Sequence, residues 1–246
     1  MNLNNWYEDW FNSPYYHLLY DHRDEQEATD FIHRLIKKLN PQKNSYMLDV
    51  ACGKGRHSKV LADLGFNVVG IDLSENSITE ANKSNLENLQ FFKHDMRLPF
   101  FINYFDYVFN FFTSFGYFKT LREHENALRT ISQSLKPNGT VIIDFLNVEN
   151  TKSEFKSHFI KQVDDVLFEI KKWQDNLHFF KEIKVFENSR YTGITYTERV
   201  AKFKLNDFEA MFSKFGITIH QVYGNYNLDS FNEKKSQRLI IEAKKS

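Results

Sequence analysis

Apolar positions in this chain recur at two spacings, and the changes of spacing mark its elements. Between 24 and 39, Ala28, Phe31, Ile32, Leu35, Ile36 and Leu39 fall on one helical face, and Asn40-Pro41 ends the helix. From 46 onward, short β-type runs alternate with helical stretches. Strands are predicted at 46–50, 67–72, 90–94, 105–111 and 140–145, with helices over 56–64, 75–87 and 120–135. Gly65 caps the first of these helices, Ser74 opens the second, and Thr120 with Glu123 makes a capping box for the third. Lys136-Pro137-Asn138-Gly139 reads as a turn. Strands joined by helices in this way imply a parallel sheet with right-handed crossovers and helices on both faces.

Residues 151–204 break that rhythm. Runs at 163–173, 177–187 and 191–202 read as three strands of an antiparallel meander, separated by Gln174-Asp175-Asn176 and Asn188-Ser189-Arg190. Inserted after the fifth strand, the meander would roof the carboxyl edge of the sheet. A helix capped by Asn206 or Asp207 follows, built on Phe208, Met211, Phe212 and Phe215 and ended by Gly216. Strands at 217–223 and 237–243 bring the sheet to seven. Ahead of everything, residues 1–22 crowd Trp6, Tyr7, Trp10, Phe11, Tyr15, Tyr16 and Tyr20 into two short helices, at 4–11 and 14–21, with Ser13-Pro14 opening the second. The expected organisation is one domain: a helical cover over 1–40, a ligand-binding core over 45–147, a β lid over 151–204 and completion of the sheet over 205–246.

Composition narrows the function classes. Lys plus Arg equals Asp plus Glu, 32 against 32 in 246 residues, which argues against a broad electrostatic grip on nucleic acid. A single cysteine, Cys52, forms no intrachain disulfide and points to a reducing compartment. No apolar run approaches the ~20 residues of a membrane span, and the first ten residues lack the basic and apolar regions of a signal peptide. The expectation is a cytoplasmic protein. The 25 phenylalanines mostly fill the core, with a minority left to line an apolar substrate site.

Candidate chemistry gathers on 47–58, MLDVACGKGRHS. A strand runs into a loop holding Gly53 and Gly55, and a helix opens at Arg56. Glycines admit a ligand close to the backbone, and the helix start offers N–H groups. Cys52, inside that loop, reads as a small residue beside the ligand. Asp49 lies within the first strand, Asp72 ends the second and Asp95 ends the third. Open α/β sheets bind ligands at this edge. Such a loop alone serves nucleotides, dinucleotides and S-adenosylmethionine alike, or simply makes a turn.

DVACGKGRHS, GIDLS, HDMRLPF and FDYVFNFFTSFGYF, in that order and spacing, resemble the first four motifs of the class I S-adenosylmethionine-dependent methyltransferases. The resemblance covers 46–147 and, more loosely, the last forty residues; Ala51 stands where many members carry glycine. It implies a Rossmann-like, seven-stranded, mostly parallel sheet with an N-terminal helical cover and an antiparallel insertion after strand five. It also implies a cofactor site. Asp72 would accept the ribose hydroxyls, with Leu73 beside it; Asp95 would accept the adenine amino group, with Met96 on the ring. Ala51, Cys52, Gly53 and Gly55 would let the backbone approach. Asp49 would face loop N–H groups and the methionine ammonium, and Arg56 the cofactor carboxylate or Asp49. Asn110 with Phe111 would face the sulfonium, and Tyr16 or Tyr20 would fold over the cofactor.

The implied reaction is in-line displacement onto a small-molecule acceptor, in which the protein aligns two reactants and excludes water. A base is needed only for an acceptor that arrives protonated; His17, His22, Tyr117 and Asp144 are candidates. Asn110 is followed by Phe111-Phe112-Thr113, unlike the Pro-Pro-aromatic of adenine-N6 DNA methylases, so no DNA substrate is expected. No metal is called for, and the chain would act as a monomer or homodimer. Two alternatives stay open: a non-catalytic cofactor-binding or partner-supporting subunit, and a nicotinamide-dependent oxidoreductase, which would want glycine at Ser58 and leaves Asp95 without a role.

Overall fold

The structure is a computed structural model and describes residues 6–20, 25–155 and 157–246. The chain forms α1 (Trp6–Phe11), α2 (Pro14–Tyr20), α3 (Glu25–Leu39), β1 (Tyr46–Val50), α4 (Arg56–Asp63), β2 (Asn67–Asp72), α5 (Glu75–Ala81), β3 (Leu89–Lys93), β4 (Phe105–Asn110), α6 (Leu121–Ser134) and β5 (Leu135–Leu146). It continues through α7 (Val148–Glu154), β6 (Ser157–Val163), β7 (Val166–Gln174), β8 (His178–Glu187), β9 (Arg190–Ala201), α8 (Leu205–Ser213), β10 (Ile217–Tyr223) and β11 (Arg238–Lys245). The main sheet has seven strands in the order β10-β11-β5-β4-β1-β2-β3. β11 runs antiparallel to both β5 and β10, and the remaining neighbours pair parallel.

Side-chain alternation makes the two layers. Met47, Val68, Phe109, Ile142 and Ile240 point to one face, where α3, α4 and α5 bury Phe31, Leu35, Leu61 and Ala81. Leu48, Val69, Val108, Ile143 and Ile241 point to the other, against Leu128 and Ile131 of α6 and Phe208 and Phe212 of α8. Each of the larger of these side chains contributes roughly 1.5–3 kcal/mol by leaving water. The helices therefore flank the sheet on both faces, and the carboxyl ends of β1, β2 and β4 share one edge.

The insertion is a separate sheet of four antiparallel strands, β6-β7-β8-β9, one more than the pattern predicted. β6 escapes detection because Phe159 and Ile160 are exposed and Lys161 and Gln162 interrupt the apolar run. Its inner face does not roof the site directly. Val163, Phe168, Ile170, Ile183 and Val185 bury Trp10 and Leu19 of α1 and α2 instead. Trp10 Nε1–H and Tyr20 O–H both donate to Glu198 Oε1 at 2.8 Å, and Lys161 Nζ donates to the Leu19 carbonyl at 3.0 Å. Asn12, between the two helices, accepts the Asn76 N–H at 3.0 Å and ties them to α5. The two aromatic helices are the roof, and the inserted sheet is their buttress.

Other boundaries move for local reasons. The helix predicted over 75–87 stops at Ala81, and Asn88 Nδ2 donates at 2.8 Å to the Ala62 and Phe66 carbonyls, drawing the chain toward α4. Lys136-Pro137-Asn138-Gly139 forms an irregularity inside a longer β5, between the pairings Phe105↔Leu135 and Tyr107↔Thr140. α7 follows β5 with Asn147 as its cap. Lys204 caps α8, and Asp207 is its third helical residue, accepting the Lys204 N–H at 2.8 Å. Among the described residues no helix is long and apolar enough to cross a membrane.

Candidate active site

The loop after β1 is built in left-handed backbone: Ala51, Gly53 and Gly55 have φ of 61°, 56° and 78°. Glycine tolerates this; Ala51 carries a strain of roughly 1–2 kcal/mol. The two glycines serve different ends. A Cβ on Gly53 would meet nothing within 4 Å, because that position faces open cavity. A Cβ on Gly55 would sit 2.3 Å from the Phe91 ring, so Gly55 is required for packing and does not line the cavity. Cys52 N–H donates to the Ile71 carbonyl at 3.0 Å and holds the loop to β2. Burial pushes its thiol pKa well up, so it packs as a small inert residue.

Asp72 closes the loop from the side. Its Oδ2 accepts the Gly53 N–H and its Oδ1 the Ser74 N–H, both at 2.8 Å. Burial raises its pKa while these N–H groups pull it down. Asp95 is gripped by Arg97, whose Nη2 lies 2.6 Å from Oδ2, while Glu123 takes Arg97 Nη1 at 2.7 Å. Burial opposes ionisation of Asp95, but the Arg97 hydrogen bonds and charge together hold its pKa below the usual value. Both carboxylates line the cavity, with Ile71, Leu73 and Met96 as apolar walls beside them.

Much of the remaining lining is aromatic. Phe11, Tyr16, His17 and Tyr20 come down from α1 and α2, and Phe111, Phe112, Ser114, Tyr117 and Phe118 rise from the β4–α6 loop. Phe11 lies 5.0 Å from Tyr16 and 5.2 Å from Tyr117, both edge to face. Together these residues enclose a cavity of about 250 Å³.

Most of the residues picked from the sequence meet here: Tyr16, Tyr20, Ala51, Cys52, Gly53, Arg56, Asp72, Leu73, Asp95, Met96 and Phe111 all line the cavity, as do His17 and Tyr117. Four do not. Gly55 packs on Phe91. Asp49 is buried beneath the loop, where Ser58 Oγ–H donates to it at 2.5 Å and burial lifts its pKa to about 7. Asn110 is buried, with Nδ2 donating to the Val50 carbonyl at 2.9 Å, and its Oδ1 meets no partner among the described residues. Asp144 is no base: it is fully buried, paired with Arg238 at 2.7 Å, and accepts the Phe112 N–H at 2.9 Å and the Tyr226 hydroxyl at 3.1 Å. His22 lies outside the described residues. Sequence reasoning passed over Phe11, His57, His94 and Phe112, which also line the cavity. His57 and Phe112 adjoin positions already singled out, a signal that was available.

The donor set suits an adenosyl-sulfonium ligand. Two carboxylates flanking apolar walls match a ribose and an adenine, and the space in front of Gly53 is what a Cβ would take away. When bound, S-adenosylmethionine supplies a methyl group already activated for displacement. The protein's share would be to hold the nucleoside through Asp72 and Asp95, and to keep water out with the rings of α1 and α2.

Comparison with known proteins agrees with this geometry. A methyltransferase-domain family model matches residues 20–222. The YqeM protein of Bacillus subtilis (strain 168) is 28% identical over 239 residues, covering 93% of this chain and 95% of its own. The dTDP-3-amino-3,4,6-trideoxy-alpha-D-glucopyranose N,N-dimethyltransferase of Streptomyces venezuelae is 34% identical over 118 residues, 48% of each chain. Among solved structures, an S-adenosylmethionine-dependent methyltransferase from Clostridium acetobutylicum superposes with a TM-score of 0.78 at 20% identity, covering 94% of this chain and 96% of that one. The chain belongs to the methyltransferase-domain family, and with this sheet order it is an S-adenosylmethionine-dependent methyltransferase of class I.

Proposed function

We propose that this enzyme transfers the methyl group of S-adenosylmethionine to an amine nitrogen of a small molecule, by in-line displacement. The observation that carries the reading is a single cavity lined both by Asp72 and Asp95 and by the rings of Phe11, Tyr16 and Tyr117. Aromatic faces attract an alkylammonium group and pack its carbons, at about 0.5–2 kcal/mol per contact. An amine arrives protonated at neutral pH, so it must lose a proton before attack; in this reading His17, which lines the cavity, takes it. Asp72, Asp95, Met96 and the Ala51–Gly53 backbone hold the cofactor in this reading, with Arg56 toward its carboxylate. The Streptomyces relative, by its name, dimethylates the amine of an amino sugar, which favours the same acceptor class. The balanced charge and buried thiol suit a small-molecule enzyme of the cytoplasm that does not act on DNA.

Calorimetry with S-adenosylmethionine and S-adenosylhomocysteine comes first, followed by a product-release assay against a panel of primary and secondary amines. Micromolar cofactor binding with turnover on an amine is expected. No binding at millimolar cofactor rejects the reading. Binding with turnover only on oxygen, sulfur or carbon acceptors rejects the amine, and binding without turnover on any class leaves a non-catalytic module.

A further inference from the structure

Part of the cavity wall is held in an unfavourable backbone. Phe112 and Thr113 are successive residues with φ of 57° and 58°, one a bulky aromatic and the other β-branched. Such a pair persists only where its surroundings over-determine it. Here the surroundings are the ends of β5 and β11. Asp144 accepts the Phe112 N–H on its carboxylate and the Thr113 N–H on its backbone carbonyl, each at 2.9 Å. Arg238 donates from Nε to Asp144 Oδ1 at 2.8 Å and from Nη2 to Thr113 Oγ1 at 2.9 Å. Tyr226 donates its hydroxyl to Asp144 at 3.1 Å and sets its ring 5.5 Å from that of Phe112. Both strained amides and the Thr113 hydroxyl are therefore gripped from one direction.

Phe112 passes the constraint on. The Arg56 guanidinium lies 4.2 Å above its ring, and the His57 ring lies 5.3 Å away. Arg56, His57 and Phe112 all line the cavity on the side of the glycine loop. Asp144 and Arg238 do not line it.

We propose that Asp144 and Arg238 are positioning residues for the cofactor pocket. They fix the left-handed Phe112-Thr113 pair, so that Phe112 forms the wall on which Arg56 and His57 are seated. The inference rests on the reading that this cavity holds S-adenosylmethionine. It assigns a role in cofactor affinity to two side chains that never touch the cofactor.

The test uses the full chain carrying Asp144→Asn and, because a lone buried Arg238 can prevent folding, separately Thr113→Ala. The second variant removes the Arg238 contact and leaves the Asp144–Arg238 pair intact. Amide exchange over 110–118 is measured without ligand, and S-adenosylhomocysteine affinity by calorimetry. Exchange at the Phe112 and Thr113 amides is expected to quicken about tenfold in Asp144→Asn. The dissociation constant rises about tenfold in Asp144→Asn and about threefold in Thr113→Ala. In turnover, KM for S-adenosylmethionine rises while kcat at saturation changes less than about twofold. Unchanged exchange and affinity in a folded variant, with wild-type binding intact, overturns this inference alone. Failure of the wild type to bind S-adenosylhomocysteine at millimolar concentration overturns the proposed function and this inference together.

Discussion

Gly53 donates its backbone N–H to Asp72 Oδ2 at 2.8 Å, so the glycine loop and the end of β2 form one unit. Asp72 both shapes the loop and lines the cavity. Replacing it with alanine removes charge-assisted hydrogen bonds worth about 1.5–3 kcal/mol each. Asp72→Ala is expected to weaken S-adenosylhomocysteine binding by about 100-fold, read by calorimetry, while Asp72→Asn, which keeps the shape, loses less.

The two loop glycines separate binding from folding. Gly53→Ala puts a methyl into open cavity at φ 56°, and is expected to raise the cofactor dissociation constant at least about tenfold. Its melting temperature falls only by the few degrees that about 1 kcal/mol of left-handed strain costs. Gly55→Ala drives its Cβ to 2.3 Å from Phe91 and is expected to destabilise by about 1–3 kcal/mol or more. Thermal melts with and without cofactor distinguish the two.

Asp49 predicts a pH dependence with a definite sign. Its pKa is about 7 in the folded protein against an ordinary value of 3.8, because burial penalises the anion more than the Ser58 hydroxyl relieves it. The folded state therefore holds this proton more tightly than the unfolded chain. The contribution is fully present below about pH 4 and is lost as pH rises through 7, a change of about 4 kcal/mol over three pH units. Asp49→Asn is expected to flatten that slope between about pH 4 and 7 in denaturant titrations of the ligand-free protein. A slope as steep as wild type contradicts the assignment.

Among the rings that line the cavity, Tyr117→Ala opens the contact with Phe11 at 5.2 Å. KM for an amine acceptor should rise about tenfold while that for S-adenosylmethionine stays within about twofold. His17→Gln should lower kcat by about 100-fold. Steady-state kinetics on one acceptor reads both variants.

What was legible in the sequence is what short-range pattern encodes. Ile142 and Ile143 alternate between faces, and so do Met47 and Leu48, so the strands and their helices follow from period two against period 3.6. Asp72 and Asp95 were legible because a strand end followed by a loop puts a side chain at the sheet edge. Asp144 stands near a strand end too, but its partners Arg238 and Tyr226 lie 94 and 82 residues away, and nothing local announces that they fill its lone pairs. The roof was misattributed for the same reason. Glu198 fastens Trp10 and Tyr20 from 188 and 178 residues away, and this pairing turns the insertion into a support for the helices.

That fastening has an architectural consequence. With Trp10 and Tyr20 bonded to one carboxylate of β9, and Leu19 bonded to Lys161 of β6, the first helices and the inserted sheet make a single hatch over the cavity. Evolution, or a protein engineer, could exchange acceptor preference by moving that hatch whole. A graft of the sheet without its N-terminal passengers would deliver a frame with no door.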